Sequence, residues 1–186
     1  MVTNPNCSVV GLAMALAPLD KAFGLKSVAV VTLQALSGAG YPGVASLDVA
    51  DNVIPYIGGG EEEKIETEPQ KILGRFENGA FAPAGFVISA SVHRVAVSDG
   101  HTLAAFLSFQ THASPAEACE ALAAFTGRPQ RLGLPSAPRQ PIHVLDQPDR
   151  PQPRLDRDRE RGMAVSVGRV RGDALFDLRL EALVHN

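Results

Sequence analysis

Residues 27–36 read Ser-Val-Ala-Val-Val-Thr-Leu-Gln-Ala-Leu, an almost unbroken apolar run rich in β-branched side chains. Such a run is typical of a buried strand, so it predicts a central strand of a sheet. A sharp turn follows at residues 37–40, Ser-Gly-Ala-Gly. Residues 8–17, which precede the strand, are apolar nearly all round and predict a buried helix. The fold is therefore expected to pack helices on a sheet.

Helix ends are marked on both sides of this strand. Asn6 stands directly before the first apolar stretch, where its side chain predicts an N-cap, and Pro18 is expected to end or restart that helix. Residues 61–76 begin with three glutamates, which suit the positive end of a helix dipole and predict a second helix. Because Pro69 lies inside this segment, we expect two helical pieces or one kinked helix.

The second half of the chain is expected to add four strands. Residues 86–97 and 102–110 predict two strands that are joined by a turn at residues 98–100, Ser-Asp-Gly. Two final strands are predicted at residues 163–170 and 174–184, on either side of an Arg-Gly-Asp turn.

One helix and one irregular segment lie between these strand pairs. Ser114 and Glu117 form a capping box that predicts a helix ending near Phe125, with Gly127 as its C-terminal cap. Residues 128–161 are rich in proline and in mixed arginine and aspartate. This composition favours a solvated, mobile loop excursion over a phosphate-binding patch.

Together these elements predict an α+β fold, with a mixed, largely antiparallel sheet and helices packed on it. A length of 186 residues suits a single domain over residues 1–186, and 45% hydrophobic residues is ordinary for a globular chain. A net charge of −3 argues against a nucleic-acid partner. The sequence lacks both the roughly 18 consecutive apolar residues of a membrane span and a signal peptide, so we expect no membrane partner and a cytoplasmic location. The two cysteines predict neither a disulfide framework nor a metal site.

Cys7 is the first candidate for chemistry, because it stands where the first helix begins. Unpaired N–H groups and the dipole at a helix N-terminus favour a thiolate, the nucleophilic form, and could stabilise an oxyanion. The alternative to a nucleophilic role is that Cys7 is simply a small buried residue. Cys119 lies mid-helix among alanines and leucines and is expected to pack in the core.

Polar residues at other element ends could serve this thiol. His101 follows a predicted turn and could move protons, while Arg94 could hold a carboxylate. Glu61 and Lys64 share one helix face, where the first could accept an ammonium and the second an anion, or both could belong to a solvated helix start. Gln34 precedes the glycine turn, so its amide either reaches a cleft or is an ordinary polar strand end.

Five stretches of the sequence carry a family resemblance. They are Asn-Pro-Asn-Cys-Ser at 4–8, Gln-Ala-Leu-Ser-Gly-Ala-Gly-Tyr-Pro-Gly at 34–43, Asp-Asn-Val-Ile-Pro-Tyr-Ile at 51–57, Glu-Glu-Glu-Lys-Ile-Glu-Thr-Glu at 61–68, and Arg-Val-Ala-Val-Ser-Asp-Gly-His-Thr at 94–102. In their order and spacing they resemble the catalytic half of the aspartate-β-semialdehyde dehydrogenases of the archaeal and fungal branch. The resemblance implies the C-terminal catalytic fold of the glyceraldehyde-3-phosphate-dehydrogenase-like family.

The resemblance also implies a reaction. Cys7 would attack the acyl phosphate carbonyl of aspartyl phosphate and release phosphate, and hydride from NADPH would reduce the resulting thioester to aspartate semialdehyde. This reaction serves lysine, methionine and threonine biosynthesis. His101 would act as acid/base for the thiol and the tetrahedral intermediates, and Gln34 would orient the reacting carbonyl.

The remaining implied roles concern binding. Arg94 would bind the substrate α-carboxylate, Glu61 the α-ammonium and Lys64 the phosphate. Ser37 and Gly38 would lie where the nicotinamide of NADP approaches the cysteine. The family forms its subunit interface through the sheet of this domain, which implies a homodimer or a dimer of dimers.

The family's enzymes begin with a Rossmann nucleotide-binding domain, whereas this sequence begins at the cysteine motif. We therefore expect the Rossmann domain to be absent from this chain, an excised or shortened product, and little or no reductase activity from the chain alone. Two alternatives stay open. One is an acyl reductase domain like that of malonyl-CoA reductases, and the other is a non-catalytic dimerisation module.

Overall fold

The computed structural model describes residues 3–186 as a sheet with its three longest helices packed on one face. The strands are β1 (Leu25–Gln34), β2 (Val53–Pro55), β3 (Arg75–Glu77), β4 (Ala80–Ala82), β5 (Val87–Val95), β6 (His101–Phe109), β7 (Ile142–Leu145), β8 (Val165–Gly172) and β9 (Leu178–Val184). The helices are α1 (Cys7–Phe23), α2 (Ser46–Val49), α3 (Glu61–Ile72), α4 (Pro115–Ala123), α5 (Arg128–Arg131) and α6 (Pro153–Asp156). Two 3-10 turns lie at Leu36–Ala39 and Arg159–Gly162.

The main sheet has seven strands in the order β2-β5-β1-β6-β9-β8-β7, and β3 and β4 form a separate hairpin. β1 pairs in parallel with β5, as does β7 with β8, whereas the other four pairings are antiparallel. The predicted mixed, largely antiparallel sheet is thus confirmed. β1 contains residues 27–34 of the predicted central strand 27–36 and is an interior strand as predicted, whereas residues 35 and 36 lie beyond its end.

The core lies between this sheet and helices α1, α3 and α4. Leu12 and Leu16 of α1 and Leu103 and Leu107 of β6 are at most 1% exposed. Burying each such side chain contributes about 1.5–3 kcal/mol. α1 therefore packs on the sheet as the buried helix that its apolar sequence predicts.

The two predictions about the ends of α1 have opposite outcomes. Asn6 is the N-cap, because its Oδ1 accepts hydrogen bonds from the backbone N–H groups of Ser8 at 2.9 Å and Val9 at 3.3 Å. The prediction that Pro18 ends or restarts the helix is wrong, since α1 continues to Phe23. Pro18 is itself buried, and the packing of the helix outweighs the one backbone hydrogen bond that a proline removes.

Helix α3 satisfies backbone groups along the edge of β5. Glu62 accepts a hydrogen bond from Val92 N–H at 3.2 Å, and Glu66 accepts one from Ala90 N–H at 3.0 Å. These glutamates are four residues apart and thus share one helix face. Although α3 starts at Glu61 as predicted, it ends at Ile72 as one helix, so the predicted extension to residue 76 is wrong.

The strands β5 and β6 are not neighbours, although only a short turn joins them. β1 lies between them, so residues 96–100 cross its end. Leu36 N–H donates to Val97 O at 2.8 Å, and Ser37 N–H donates to Ser98 O at 3.0 Å. The crossing therefore brings the ends of β1 and β5 and the start of β6 together.

The segment at residues 128–161, predicted as a solvated, mobile excursion, contains regular secondary structure. This segment contributes the edge strand β7 and contains Asp156, which is 1% exposed and binds the side chains of Arg150 and Arg159. The charges of these three side chains thus pair with each other, whereas Arg154 and Asp158 are exposed to solvent. The prediction that Gly127 caps the preceding helix is wrong, because α4 ends at Ala123 and Gly127 is extended with φ of −110°.

Within residues 3–186, no helix is long and apolar enough to cross a bilayer. In the same part of the chain, no group of three or more His, Cys, Asp and Glu side chains is placed to hold a metal ion.

Candidate active site

The sequence-predicted site residues come together at one end of the sheet. Gln34 ends β1 and lies level with Arg94 of the parallel strand β5, while His101 begins β6. Cys7 is the first residue of α1 and Glu61 the first of α3, so both helix N-termini point to the same place. Strand pairing between β1 and β5 and the short crossing to β6 are what produce this convergence.

Cys7 and His101 are in direct contact, with Sγ 3.2 Å from Nε2. The other ring nitrogen of His101, Nδ1, lies 3.0 Å from the backbone nitrogen of Ala35. A backbone N–H can only donate, so Nδ1 is an acceptor and carries no proton. The proton of the neutral ring is therefore on Nε2, from which it points at the sulfur.

The peptide group of Ala35 also connects His101 to Arg94. Arg94 Nη1 donates to Ala35 O at 2.6 Å, while Ala35 N–H donates to His101. Gly38 packs against both side chains, since a β-carbon there would lie 2.9 Å from Arg94 Nη1 and 2.9 Å from His101 Cε1. This close approach explains the need for glycine at position 38.

Glu61 links the N-cap of α1 with the end of β1. Its carboxylate accepts hydrogen bonds from Asn6 Nδ2 at 2.7 Å and Gln34 Nε2 at 3.4 Å, and it forms an ion pair with Lys64 at 3.2 Å. Burial raises the pKa of Glu61, but the hydrogen bonds from Asn6, Lys64 and Gln34 outweigh burial and leave its pKa below the usual value. Glu61 is therefore an anion close to the thiol.

Opposing electrostatic effects set the resting protonation state of the thiol. Burial and then the negative charge of Glu61 raise the pKa of Cys7, whereas backbone N–H groups of the helix start and the charge of Arg94 lower it less. Burial and then the charge of Arg94 lower the pKa of His101 to about 4. At Cys7, the backbone N–H groups at the helix N-terminus favour the thiolate as expected, but burial outweighs them in the resting chain. The resting pair is a thiol and a neutral imidazole.

A cleft of about 420 Å³ opens near this pair; neither member of the pair lines it, but Gly38, which packs against the His101 ring, forms part of its wall. Its polar lining comes from Glu61, Lys64 and Arg94. Arg94 is 5% exposed, while the side chain of Lys64 is 44% exposed. Two cations and one anion therefore surround the cleft, which is the complement of a small molecule with two anionic groups and one ammonium.

Asn186 is a site residue that the sequence reasoning missed. Its Nδ2 donates to Ser37 Oγ at 2.7 Å, and its Oδ1 accepts from Gly100 N–H at 2.7 Å. It thus joins the 3-10 turn that contains Gly38 to the residue before His101. A contact over 149 residues leaves no local signal in the sequence.

Comparisons with known proteins identify the family and the fold of the chain. Residues 16–186 match the family model described as semialdehyde dehydrogenase, dimerisation domain. The chain is 51% identical over 188 residues to the aspartate-semialdehyde dehydrogenase of Methanothermobacter thermautotrophicus, a match that covers 100% of this chain and 54% of that protein. It is 49% identical over 192 residues to that of Schizosaccharomyces pombe, with 100% of this chain and 54% of the relative covered.

Solved structures show the same fold. The crystal structure of aspartate semialdehyde dehydrogenase with NADP from Candida albicans matches with a TM-score of 0.88 at 45% identity, over 97% of this chain and 51% of that chain. Aspartate semialdehyde dehydrogenase II complexed with ASA from Vibrio cholerae matches at 24% identity with a TM-score of 0.77, over 100% of this chain and 56% of that one, which shows the fold alone. The chain spans about half the length of the curated relatives it matches.

Proposed function

Because the chain belongs to the semialdehyde dehydrogenase dimerisation-domain family, we propose that it is the catalytic part of an NADP-dependent aspartate-β-semialdehyde dehydrogenase of amino-acid biosynthesis. The observation that carries the proposal is the contact of 3.2 Å between Cys7 Sγ and His101 Nε2 near a cleft with two cations and one anion. The relatives that are 51% and 49% identical to this chain over the aligned residues carry the name of this enzyme.

Cys7 performs the covalent step. Its thiolate attacks the acyl carbon of aspartyl phosphate, the C–O bond to phosphate breaks, and a thioester remains on Sγ. The thiol proton leaves with the phosphate, so no protein group has to keep it. His101 Nε2–H donates a hydrogen bond to the thiolate and then to the oxyanion of the tetrahedral intermediate. The geometry thus favours the donor half of the acid/base role expected for His101.

The charges around the cleft orient the substrate. Arg94 binds the α-carboxylate with the guanidinium nitrogens that Ala35 leaves free, and Glu61 binds the α-ammonium. Lys64 reaches the phosphate from its exposed position. Gln34, which is 1% exposed and directs Nε2 toward Glu61, orients the reacting carbonyl. Each charged group of the substrate then meets an opposite charge.

The cofactor of this proposal is NADP, whose reduced form, NADPH, would supply the hydride for the thioester carbon when bound. Ser37 and Gly38 are exposed on the lip beside His101, where a nicotinamide ring can approach the thioester. The described residues hold a Gly-rich loop at a helix start, residues 58–60 before α3, but the three glutamates in the first turn of that helix would repel a pyrophosphate. We therefore propose that the main nucleotide site lies in a part of the protein outside these 186 residues, and that this chain alone has little reductase activity.

The proposed assembly is a homodimer, or a dimer of dimers, in the cytoplasm. The matched family is described as a dimerisation domain. In this chain the sheet face opposite α1 carries an open groove of about 570 Å³, which is lined by Ala29, Val31, Phe106, Phe176 and their neighbours. A second copy packed on this face would cover its apolar side chains, and sedimentation velocity of the chain would measure the expected dimer mass.

The direct test uses the longer protein that contains this chain. With aspartate semialdehyde, phosphate and NADP, we expect NADPH formation that Cys7→Ser abolishes and the matched control Cys119→Ser leaves intact. Turnover of malonyl-CoA and NADPH in place of this reaction would favour the acyl reductase alternative. An absence of both reactions would favour a non-catalytic module. For the chain alone, NADPH binding with submicromolar affinity would contradict the proposed division of the cofactor site.

A further inference from the structure

The segment at residues 150–162 has no part in the proposed chemistry, although its internal contacts fix it tightly. Asp156 accepts hydrogen bonds from the Arg150 guanidinium, from Arg159 Nε at 3.0 Å and from Gln152 N–H at 2.8 Å. Arg150 O and Pro151 also pack directly on Gly168 of β8, where even a methyl group would overlap them. The segment is therefore a fixed part of the fold on the sheet face opposite α1.

Arg157, the residue after this buried carboxylate, reaches the crossing between β5 and β6. Its Nη1 lies 3.2 Å from Ser98 Oγ and 3.2 Å from Asp99 O. A β-carbon built at Gly100 would lie 3.3 Å from Arg157 Cβ, so the third residue of the turn packs on the same side chain. Arg157 thus contacts all three residues that directly precede His101.

This turn determines the positions of two groups around the proposed nucleophile. His101 continues directly from Gly100, and its Nε2 lies 3.2 Å from Cys7 Sγ. The 3-10 turn that contains Gly38 is held by the Ser37 N–H bond to Ser98 O at 3.0 Å, and Gly38 packs against the His101 ring. A displaced Ser98 would therefore move both the histidine and the glycine beside it.

We propose that Arg157 is a positioning residue, which holds His101 Nε2 against Cys7 Sγ through the turn at residues 98–100. The proposal rests on the proposed function, in which Cys7 is the nucleophile and His101 its hydrogen-bond donor. It gives the 150–162 segment a role in the site: the Asp156 cluster fixes the backbone from which Arg157 extends. Arg157 acts through the turn and does not touch the substrate.

The test measures the rate of Cys7 alkylation in the 186-residue chain as a function of pH. Arg157→Gln removes the contacts to Ser98 and Asp99, and Arg154→Gln is the matched control, because Arg154 is exposed in the same segment and has no hydrogen bond to that turn among the described residues. We expect Arg157→Gln to slow Cys7 alkylation about threefold to tenfold at neutral pH, because the hydrogen bond that favours the thiolate weakens. The ¹⁵N resonances of the His101 ring should shift in the same variant.

A conservative variant and an internal reference separate positioning from general loosening. Arg157→Lys keeps a donor that can reach one of the two acceptors, so it should recover part of the lost rate. Cys119 in the same molecule should react at its wild-type rate. The proposal is overturned if Arg157→Gln matches Arg154→Gln, or if the rates of Cys7 and Cys119 change in parallel.

Two further measurements cover the remaining outcomes. If Arg157→Gln does not fold, Ser98→Ala removes one acceptor from the other side, and a wild-type alkylation profile and ring resonance in that variant overturn the proposal. Failure of the proposed function is seen separately, as NADPH formation that persists after Cys7→Ser in the longer protein. Because the alkylation rates are measured without substrate or cofactor, they support or overturn the role of Arg157 whatever the result of that activity assay.

Discussion

Replacing His101 with alanine and, separately, with glutamine tests whether the imidazole serves Cys7 as a hydrogen-bond donor. A glutamine amide carries N–H donors but does not take up a proton at neutral pH, whereas alanine supplies no donor. If the Nε2–H of His101 stabilises the thiolate, glutamine should retain much of the reactivity of Cys7 and alanine should lose it. If His101 removes the thiol proton, both variants should lose reactivity equally.

The magnitude follows from the contact between Nε2 and Sγ. A hydrogen bond to a charged group contributes about 1.5–3 kcal/mol, which corresponds to roughly a 10- to 150-fold difference in thiolate population at fixed pH. A less stabilised thiolate is also more nucleophilic, with a Brønsted coefficient of about 0.4–0.5, which offsets about half of the effect on a logarithmic scale. We therefore expect His101→Ala to slow alkylation about fourfold to fifteenfold, and His101→Gln to slow it less.

The assay is alkylation by iodoacetamide at a series of pH values, with the two thiols resolved by peptide mass spectrometry. Because burial and Glu61 raise the pKa of Cys7, the wild-type rate should keep rising with pH through the range where an ordinary thiol has already ionised. Cys119 provides the reference rate in every sample. A rate plateau at acid pH would show a thiolate–imidazolium pair and refute the neutral resting pair. Equal losses in the alanine and glutamine variants would refute the donor role.

Three other predictions concern stability and packing. Burial and the charge of Arg94 lower the pKa of His101 to about 4, so the unfolded ring binds a proton more readily than the folded one. The contribution of His101 to the free energy of unfolding should therefore be complete above pH 6.5 and fall by about 3 kcal/mol between pH 6.5 and 4. Denaturation of the His101→Gln variant should lack this decrease. Asp156→Asn leaves two arginines without their buried carboxylate and should lower the free energy of unfolding by about 3–5 kcal/mol in urea titrations, and a loss below about 1 kcal/mol would contradict the burial argument. Gly38→Ala places a methyl group 2.9 Å from His101 Cε1 and Arg94 Nη1, which displaces the His101 ring. The variant should therefore show slower Cys7 alkylation with little change in melting temperature, and an unchanged alkylation rate would contradict this prediction.

Local chemistry made several elements predictable from the sequence. The cap at Asn6 and the capping box of Ser114 and Glu117 depend on side chains within three residues of the groups they bind, so their signals are contiguous in the sequence. The apolar, β-branched run at residues 27–36 similarly indicates an interior strand, and both edges of β1 are indeed paired.

Long-range pairing is what the sequence could not show. The insertion of β1 between β5 and β6 depends on which edges pair, and a short turn between two strands ordinarily indicates a hairpin. The bond from Ala35 N–H to His101 spans 66 residues and uses a backbone group, which has no residue type to recognise. The eight candidate site residues could be listed from family motifs, but the proton position on His101 could not.

The charged segment at residues 128–161 shows why composition alone was insufficient. Arginine and aspartate are usually solvated, yet Asp156 is buried because two arginines and a backbone N–H satisfy its carboxylate. The pairing depends on a backbone that returns upon itself over Arg150–Arg159, which the alternation of charges does not specify. The same geometry places Arg157 on the turn before His101.

The raised pKa of Cys7 has a consequence for substrate choice within the proposed function. Apart from burial, the negative charge of Glu61 is what opposes ionisation of the thiol. A substrate ammonium paired with Glu61 would cancel that charge at the moment when the acyl carbon is near Sγ, and so would favour the thiolate when it is needed. A malonyl thioester has no ammonium and would leave Glu61 with Lys64 as its only cationic partner among the described residues. The electrostatics of the site therefore favour an α-amino acid derivative, and they do so through the nucleophile itself as well as through binding.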